Sequence, residues 1–146
     1  MSGNGLFLDK DLLRSIAFRS LSKWSLLVYL DFLRMRVLKP ISKPGRQKEY
    51  TIENNGKLVY TYETAERKGI GRREFRKAIV DLVEGGFIDF AHVGSGGKRG
   101  DTNLFEISER WKSYGTPDFK PPKVQIKKDS RSGIGWSSYH EKLKNR

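Results

Sequence analysis

Apolar residues recur at helical spacing through the first part of the chain. Within residues 9–19, Leu12, Leu13, Ile16 and Ala17 fall on one side, which predicts one short helix. Ser22 then stands as an N-cap before KWSLLVYLDFLRMRVL, the longest helical run, which ends ahead of Pro40 and Pro44. Two stripes step along this run by three or four residues: Leu26, Leu30, Leu33 and Val37 form one, and Trp24, Val28, Phe32 and Met35 the other. One stripe belongs to the core, and the other needs cover from the tail, from the following hairpin or from a second subunit.

Residues 39–48, rich in Lys, Pro and Gly, read as a loop, either a solvated linker or a contact to a phosphate backbone. Tyr50-Thr51-Ile52 and Leu58-Val59-Tyr60 flank Asn54-Asn55-Gly56, and this alternation about an Asn-Gly turn predicts a hairpin. A helix over 62–68, the turn Gly69-Ile70-Gly71 and a second helix over 72–84 then give the helix, tight turn, helix order. Gly85 or Gly86 supplies the left-handed cap that closes it. Residues 87–93 and 103–107 read as strands joined by a glycine-bearing basic loop. The predicted class is α+β: an arm over 1–8, a domain over 9–112 with a three-helix core and a β-hairpin, and a basic C-terminal extension over 113–146.

Composition narrows the partner. Twenty-nine Lys and Arg against 17 Asp and Glu give a net charge of +12, which favours a polyanion, nucleic acid ahead of a membrane surface. No apolar run approaches bilayer length, the N-terminal sequence lacks the order of a secretory signal, and there is no cysteine. The expected location is the cytoplasm, at the nucleoid if the chain is DNA-bound.

The cations are placed unevenly. At about 100° per residue, Phe75, Ala78, Ile79 and Leu82 share one arc of the second helix, Arg72, Arg73, Arg76 and Lys77 another, while Glu74 and Asp81 take a third side. A helix that enters the major groove needs this segregation, and a guanidinium can bond both acceptors on a guanine edge. Lys98 and Arg99 sit in the loop between the last two strands, among glycines that permit close approach to a sugar-phosphate chain. From residue 120 to the end there are eight Lys or Arg against two acids, half of the net charge. Such a tail strengthens non-specific phosphate binding. Trp111, Tyr114, Phe119, Trp136 and Tyr139 lie near or among these cations, where they stack on bases, pack back on the domain or hold a partner.

Catalytic signatures are missing from the sequence. His92 and His140 are the only histidines and are far apart in the chain, and Asp81, Glu84, Asp89, Glu106 and Glu109 show no convincing pairing. No phosphate loop, dinucleotide fingerprint or nucleophile elbow occurs. The expectation is a non-enzyme without metal or cofactor.

The run from Asn54 to Phe90, continued from Thr102 to Trp111, resembles the winged helix domains of phage and plasmid replication proteins and of related bacterial regulators. The likeness rests on the Asn-Gly turn before Tyr60, the turn at Gly69-Ile70-Gly71, the core spacing of Phe75, Ile79 and Leu82, the motif Leu82 then Gly86-Phe87-Ile88, and the closing Phe105-Glu106-Ile107-Ser108. It extends over about residues 9 to 112. It implies double-stranded DNA as the partner in replication or transcription regulation, with Arg72, Arg73, Arg76 and Lys77 at recognition-helix positions and Lys98 and Arg99 at the wing tip. Members of this fold also bind RNA or only proteins. An adaptor or homodimer joined through the stripe Trp24, Val28, Phe32 and Met35 and the tail therefore stays open, as does an RNA or single-strand binder that uses the tail aromatics.

Overall fold

The computed structural model describes residues 5–41, 49–95 and 101–124, and it first departs from the expected order at Ser15. Helices α1 (Lys10–Arg14) and α2 (Ile16–Arg19) replace the single expected helix. Ser15 is extended between them: its hydroxyl donates to Leu12 O at 2.7 Å and accepts from Phe18 N at 3.1 Å, so the side chain competes with the helical ladder. Leu12 and Ala17 are buried, whereas Leu13 and Ile16 are exposed.

Helix α3 (Lys23–Met35) starts at the expected cap, with Ser22 Oγ accepting from Ser25 N. It ends earlier than the apolar run suggests. Asn54 Nδ2 donates to Met35 O and Asn54 Oδ1 accepts from Val37 N, each at 2.9 Å, satisfying backbone groups that helix termination exposes. Val28 and Phe32 are fully buried, with Trp24 and Met35 packed against the same core. The stripe expected to meet a partner is therefore largely taken up by the core: Val28 and Phe32 are enclosed, and Trp24 and Met35 are half-buried. Of the other stripe, Leu33 is buried, Leu26 and Leu30 are half-buried and Val37 is exposed.

Beyond α3 the expected loop begins with a strand. β1 (Leu38–Ile41) pairs antiparallel with β2 (Glu49–Ile52), so residues 50–52 find their partner upstream rather than at 58–60. Leu38, Pro40, Tyr50 and Ile52 share one face of this ribbon, because directly opposed and alternate residues point the same way. That face is exposed except for half-buried Ile52. The turn at 53–56 does form, with Gly56 at φ +85°, but it carries the chain to a single bridge between Leu58 and Phe105. Asn55 extends that contact by bonding both Ile107 N (2.7 Å) and Ile107 O (3.2 Å).

Helices α4 (Tyr62–Arg67) and α5 (Arg72–Glu84) follow, then β3 (Ile88–His92) paired antiparallel with β4 (Leu104–Ile107), then a 3₁₀ turn at Arg110–Ser113. The result is α+β: five short to medium helices and two small antiparallel hairpins among the described residues. Helix α5 occupies the residues its periodicity predicts, and Phe75, Ala78, Ile79, Leu82 and Val83 are buried. It closes in a Schellman arrangement, Gly86 N to Val83 O and Phe87 N to Leu82 O, with Gly86 at φ +85°. Phe32, Tyr60, Phe75, Phe87, Phe105 and Trp111 tie helices and hairpin into one core.

The segment after Ile107 packs back on the domain. The ring of Trp111 stacks on Phe87 at 6.4 Å, and Tyr114 meets Phe119 edge-on at 5.3 Å. Arg110 anchors this turn: it bonds Asp89 through Nε (3.1 Å) and Nη2 (2.5 Å), donates to Val83 O and Lys120 O, and lies 5.6 Å from the Phe119 ring centre. Trp136 and Tyr139 lie outside the described residues.

Candidate nucleic-acid interface

The expected site residues centre on α5, and the local sequence explains its posture. Five buried side chains hold one arc on α3 and the hairpin, which turns the opposite arc outward. Arg73 and Lys77, one turn apart, stand exposed on that arc in the first half of the helix. Arg72 is exposed but reaches toward α4: its Nε lies 3.4 Å from Glu66 Oε1, and its guanidinium sits 5.2 Å from the Tyr62 ring centre. Arg76 is half-buried and faces a cavity beside the β3–β4 hairpin. The four cations expected to act together therefore divide: Arg73 and Lys77 project outward, Arg72 is tethered to α4, and Arg76 turns to the hairpin. Lys98 and Arg99 lie outside the described residues.

Acids near this face have other engagements. Asp81 accepts the Ser25 hydroxyl from α3 at 2.9 Å. Glu74, at the third helical position, folds over the N-terminus so closely that a Cβ on Gly71 would collide with its carboxylate. A carboxylate there suits the positive end of the helix dipole. Glu84 is exposed on the outward arc, two turns beyond Lys77 and about 10 Å along the axis.

Helix α4 is set against this platform by Asp31 of α3. Tyr60 Oη donates to Asp31 Oδ2 at 2.8 Å, and Lys68 Nζ lies 3.3 Å from Asp31 Oδ1. Burial, then the Asp31 hydrogen bond, push the Tyr60 hydroxyl pKa well above its ordinary value. At the far end of the hairpin, His92 Nε2 lies 2.6 Å from Asp101 Oδ1, and Asp101 Oδ2 accepts from Ser95 N at 2.9 Å. The His92 bond, joined by those from Ser95, lowers the Asp101 pKa. These contacts link His92 and Ser95 to Asp101 across the hairpin. Among the described residues no three His, Asp or Glu side chains converge as metal ligands.

Sequence reasoning missed the aromatic lining of the cavity beside Arg76, which includes Tyr62 and Phe90. Its signal is the Tyr60-Thr61-Tyr62 triplet together with Phe90 and Phe105, which only the strand register brings together. Comparison with protein-family models, with curated proteins and with solved structures finds no match, so the functional reading stands on geometry and charge.

Proposed function

We infer that the chain is a winged helix-turn-helix protein that binds duplex DNA, with α4 and α5 as the helix pair, α5 as the recognition helix and the β3–β4 hairpin as the wing. The observation that carries this reading is the outward pair Arg73 and Lys77 on the first half of a helix whose opposite arc is buried. A recognition helix needs that arrangement, because its N-terminal side chains meet base edges and phosphates. The Leu58 to Phe105 bridge supports it by adding a third strand position to the hairpin. The net charge of +12 supports a polyanionic partner. The process, replication or transcription, rests on the family resemblance. Titration of a mixed-sequence duplex with the full chain across a salt series tests the reading: affinity falls steeply with salt if cations displace counterions, and an absence of duplex binding at low salt rejects it.

One observation favours a second reading, contact with another copy of the chain. The exposed face of Leu38, Pro40 and Tyr50 on an isolated two-stranded ribbon is apolar, and such ribbons have little stability alone. A two-fold pair would bury the same face on both copies. Sedimentation equilibrium of wild type and Tyr50→Lys tests it, since self-association lost in the variant supports the pair and a monomer at all concentrations rejects it.

A further inference from the structure

Between the first half of α5 and the β3–β4 hairpin lies a cavity of about 270 Å³. From the helical side Tyr62 and Phe75 line it, in edge contact at 5.2 Å; from the hairpin side Phe90 and Phe105 line it, with ring centres 4.9 Å apart. Phe75 and Phe105 are buried core residues, so the aromatic walls have a fixed frame. Tyr62 and Phe90 keep part of their surface accessible. The polar residues that line this cavity include Thr61, Arg76, Thr102 and Asn103.

Size and chemistry together select the occupant. An apolar cavity of about 150 Å³ admits benzene, so this one has room for a planar ligand of one or two rings. Aromatic walls favour a flat ring over a branched aliphatic group, and the guanidinium favours a ring that carries a negative charge. A nucleobase on its phosphate has both features. We propose that this cavity receives a single unpaired nucleotide, its base among Tyr62, Phe90 and their neighbours and its phosphate at Arg76.

The strand source of that nucleotide rests on the DNA-binding reading; a free nucleoside monophosphate offers the same chemistry. A paired base is held in its stack, and extrusion is least unfavourable where pairing is already broken. The cavity therefore selects a duplex with an unpaired nucleotide over a matched one. Each stacked base typically raises affinity roughly 5- to 150-fold, so a preference of about tenfold is expected.

The test compares a matched duplex with the same duplex carrying one unpaired thymidine, and adds dAMP alone, monitored by amide shifts of Phe90 and Thr102. Two variants are used: Phe90→Ala removes a wall, and Thr102→Trp fills the space without truncating the core. Wild type is expected to prefer the unpaired site about tenfold, and Thr102→Trp to bring the ratio to one while matched-duplex affinity holds. Phe90→Ala should do the same if it folds. Shifts with dAMP but no preference in the duplex support the cavity and assign it to a free nucleotide. Equal affinity for both duplexes with no dAMP shift overturns the proposal, as does a preference that survives Thr102→Trp. Failure of the DNA reading is separate, since wild type would then leave the matched duplex unbound.

Discussion

Ser25 of α3 donates its hydroxyl to Asp81 of α5 at 2.9 Å, and Ser25 is fully buried. This bond couples α3 to the helix that carries Arg73 and Lys77, so it bears on the rotation of α5 as well as its attachment. Ser25→Ala leaves the Asp81 carboxylate short of a donor and is expected to lower stability by about 1–2 kcal/mol, a fall in Tm of roughly 4–8 °C. Thermal denaturation followed by circular dichroism checks it; an unchanged Tm would show that water replaces the hydroxyl without loss.

Two glycines share one backbone conformation and differ in surroundings. Gly69 has φ +83° with open space where a Cβ would sit, whereas at Gly86, φ +85°, a Cβ would lie 2.6 Å from Trp111 N. Gly69→Ala is expected to lose only the left-handed strain, about 1–2 kcal/mol. Gly86→Ala adds a collision with backbone that also bonds Gly86 O to Trp111 N. Urea denaturation of both variants should place Gly86→Ala well below Gly69→Ala, and equal losses would refute the packing argument.

Arg110 joins α5, β3 and the chain at Lys120 through one guanidinium, with its side chain and that of Asp89 mostly buried at 17% and 15% exposure. Arg110→Lys keeps the charge and loses the fork, so it is not expected to rescue the contact. Arg110→Ala should destabilise by about 2–4 kcal/mol, because Asp89 is left without its partner. Limited proteolysis should then cut near residues 114–120 faster than in wild type. Unaltered cleavage would mean that Trp111 alone holds this segment.

Burial raises the Tyr29 hydroxyl to about pKa 12, outweighing the lowering by Arg36, and Tyr60 is raised as well. A raised folded pKa means that the fold favours the neutral phenol. The contribution is complete below the unfolded value of about 10 and is lost as pH rises toward 12. Of the six tyrosines, Tyr29 and Tyr60 are expected to ionise late and together with alkaline unfolding. Ultraviolet titration of tyrosinate checks this, and ionisation of every tyrosine near pH 10 with the fold intact contradicts it.

Helix α5 was readable to the residue because a 3.6-residue period, a glycine before it and two glycines after it all mark the same limits. The β3–β4 hairpin was readable to within one residue at each strand end, though not the irregularity between Phe90 and His92. The β1–β2 ribbon was hidden: Asn54-Asn55-Gly56 is a strong turn signal beside Tyr50-Thr51-Ile52, while the true partner contains Pro40 and is separated from it by basic, glycine-bearing sequence. Periodicity found both stripes of α3 but not that the core takes residues from each, Val28 and Phe32 from one and Leu33 from the other, since that depends on what packs against the helix. Likewise, a helical wheel groups Arg72, Arg73, Arg76 and Lys77, and only Tyr62, Glu66 and the cavity show why the four point to different neighbours. The Arg110 network joins residues 83, 89 and 120, a spacing with no local signature.

The most direct measurement is duplex binding by the full chain carrying Arg73→Glu and Lys77→Glu, followed by fluorescence anisotropy over a salt series. The reversed pair removes cations from the outward arc and touches none of the buried residues of α5. A loss of roughly tenfold or more at low salt is expected, with a shallower dependence of log affinity on log salt, by about one for each phosphate contact removed. Wild-type affinity with an unchanged slope would contradict it and would move duplex binding away from α5.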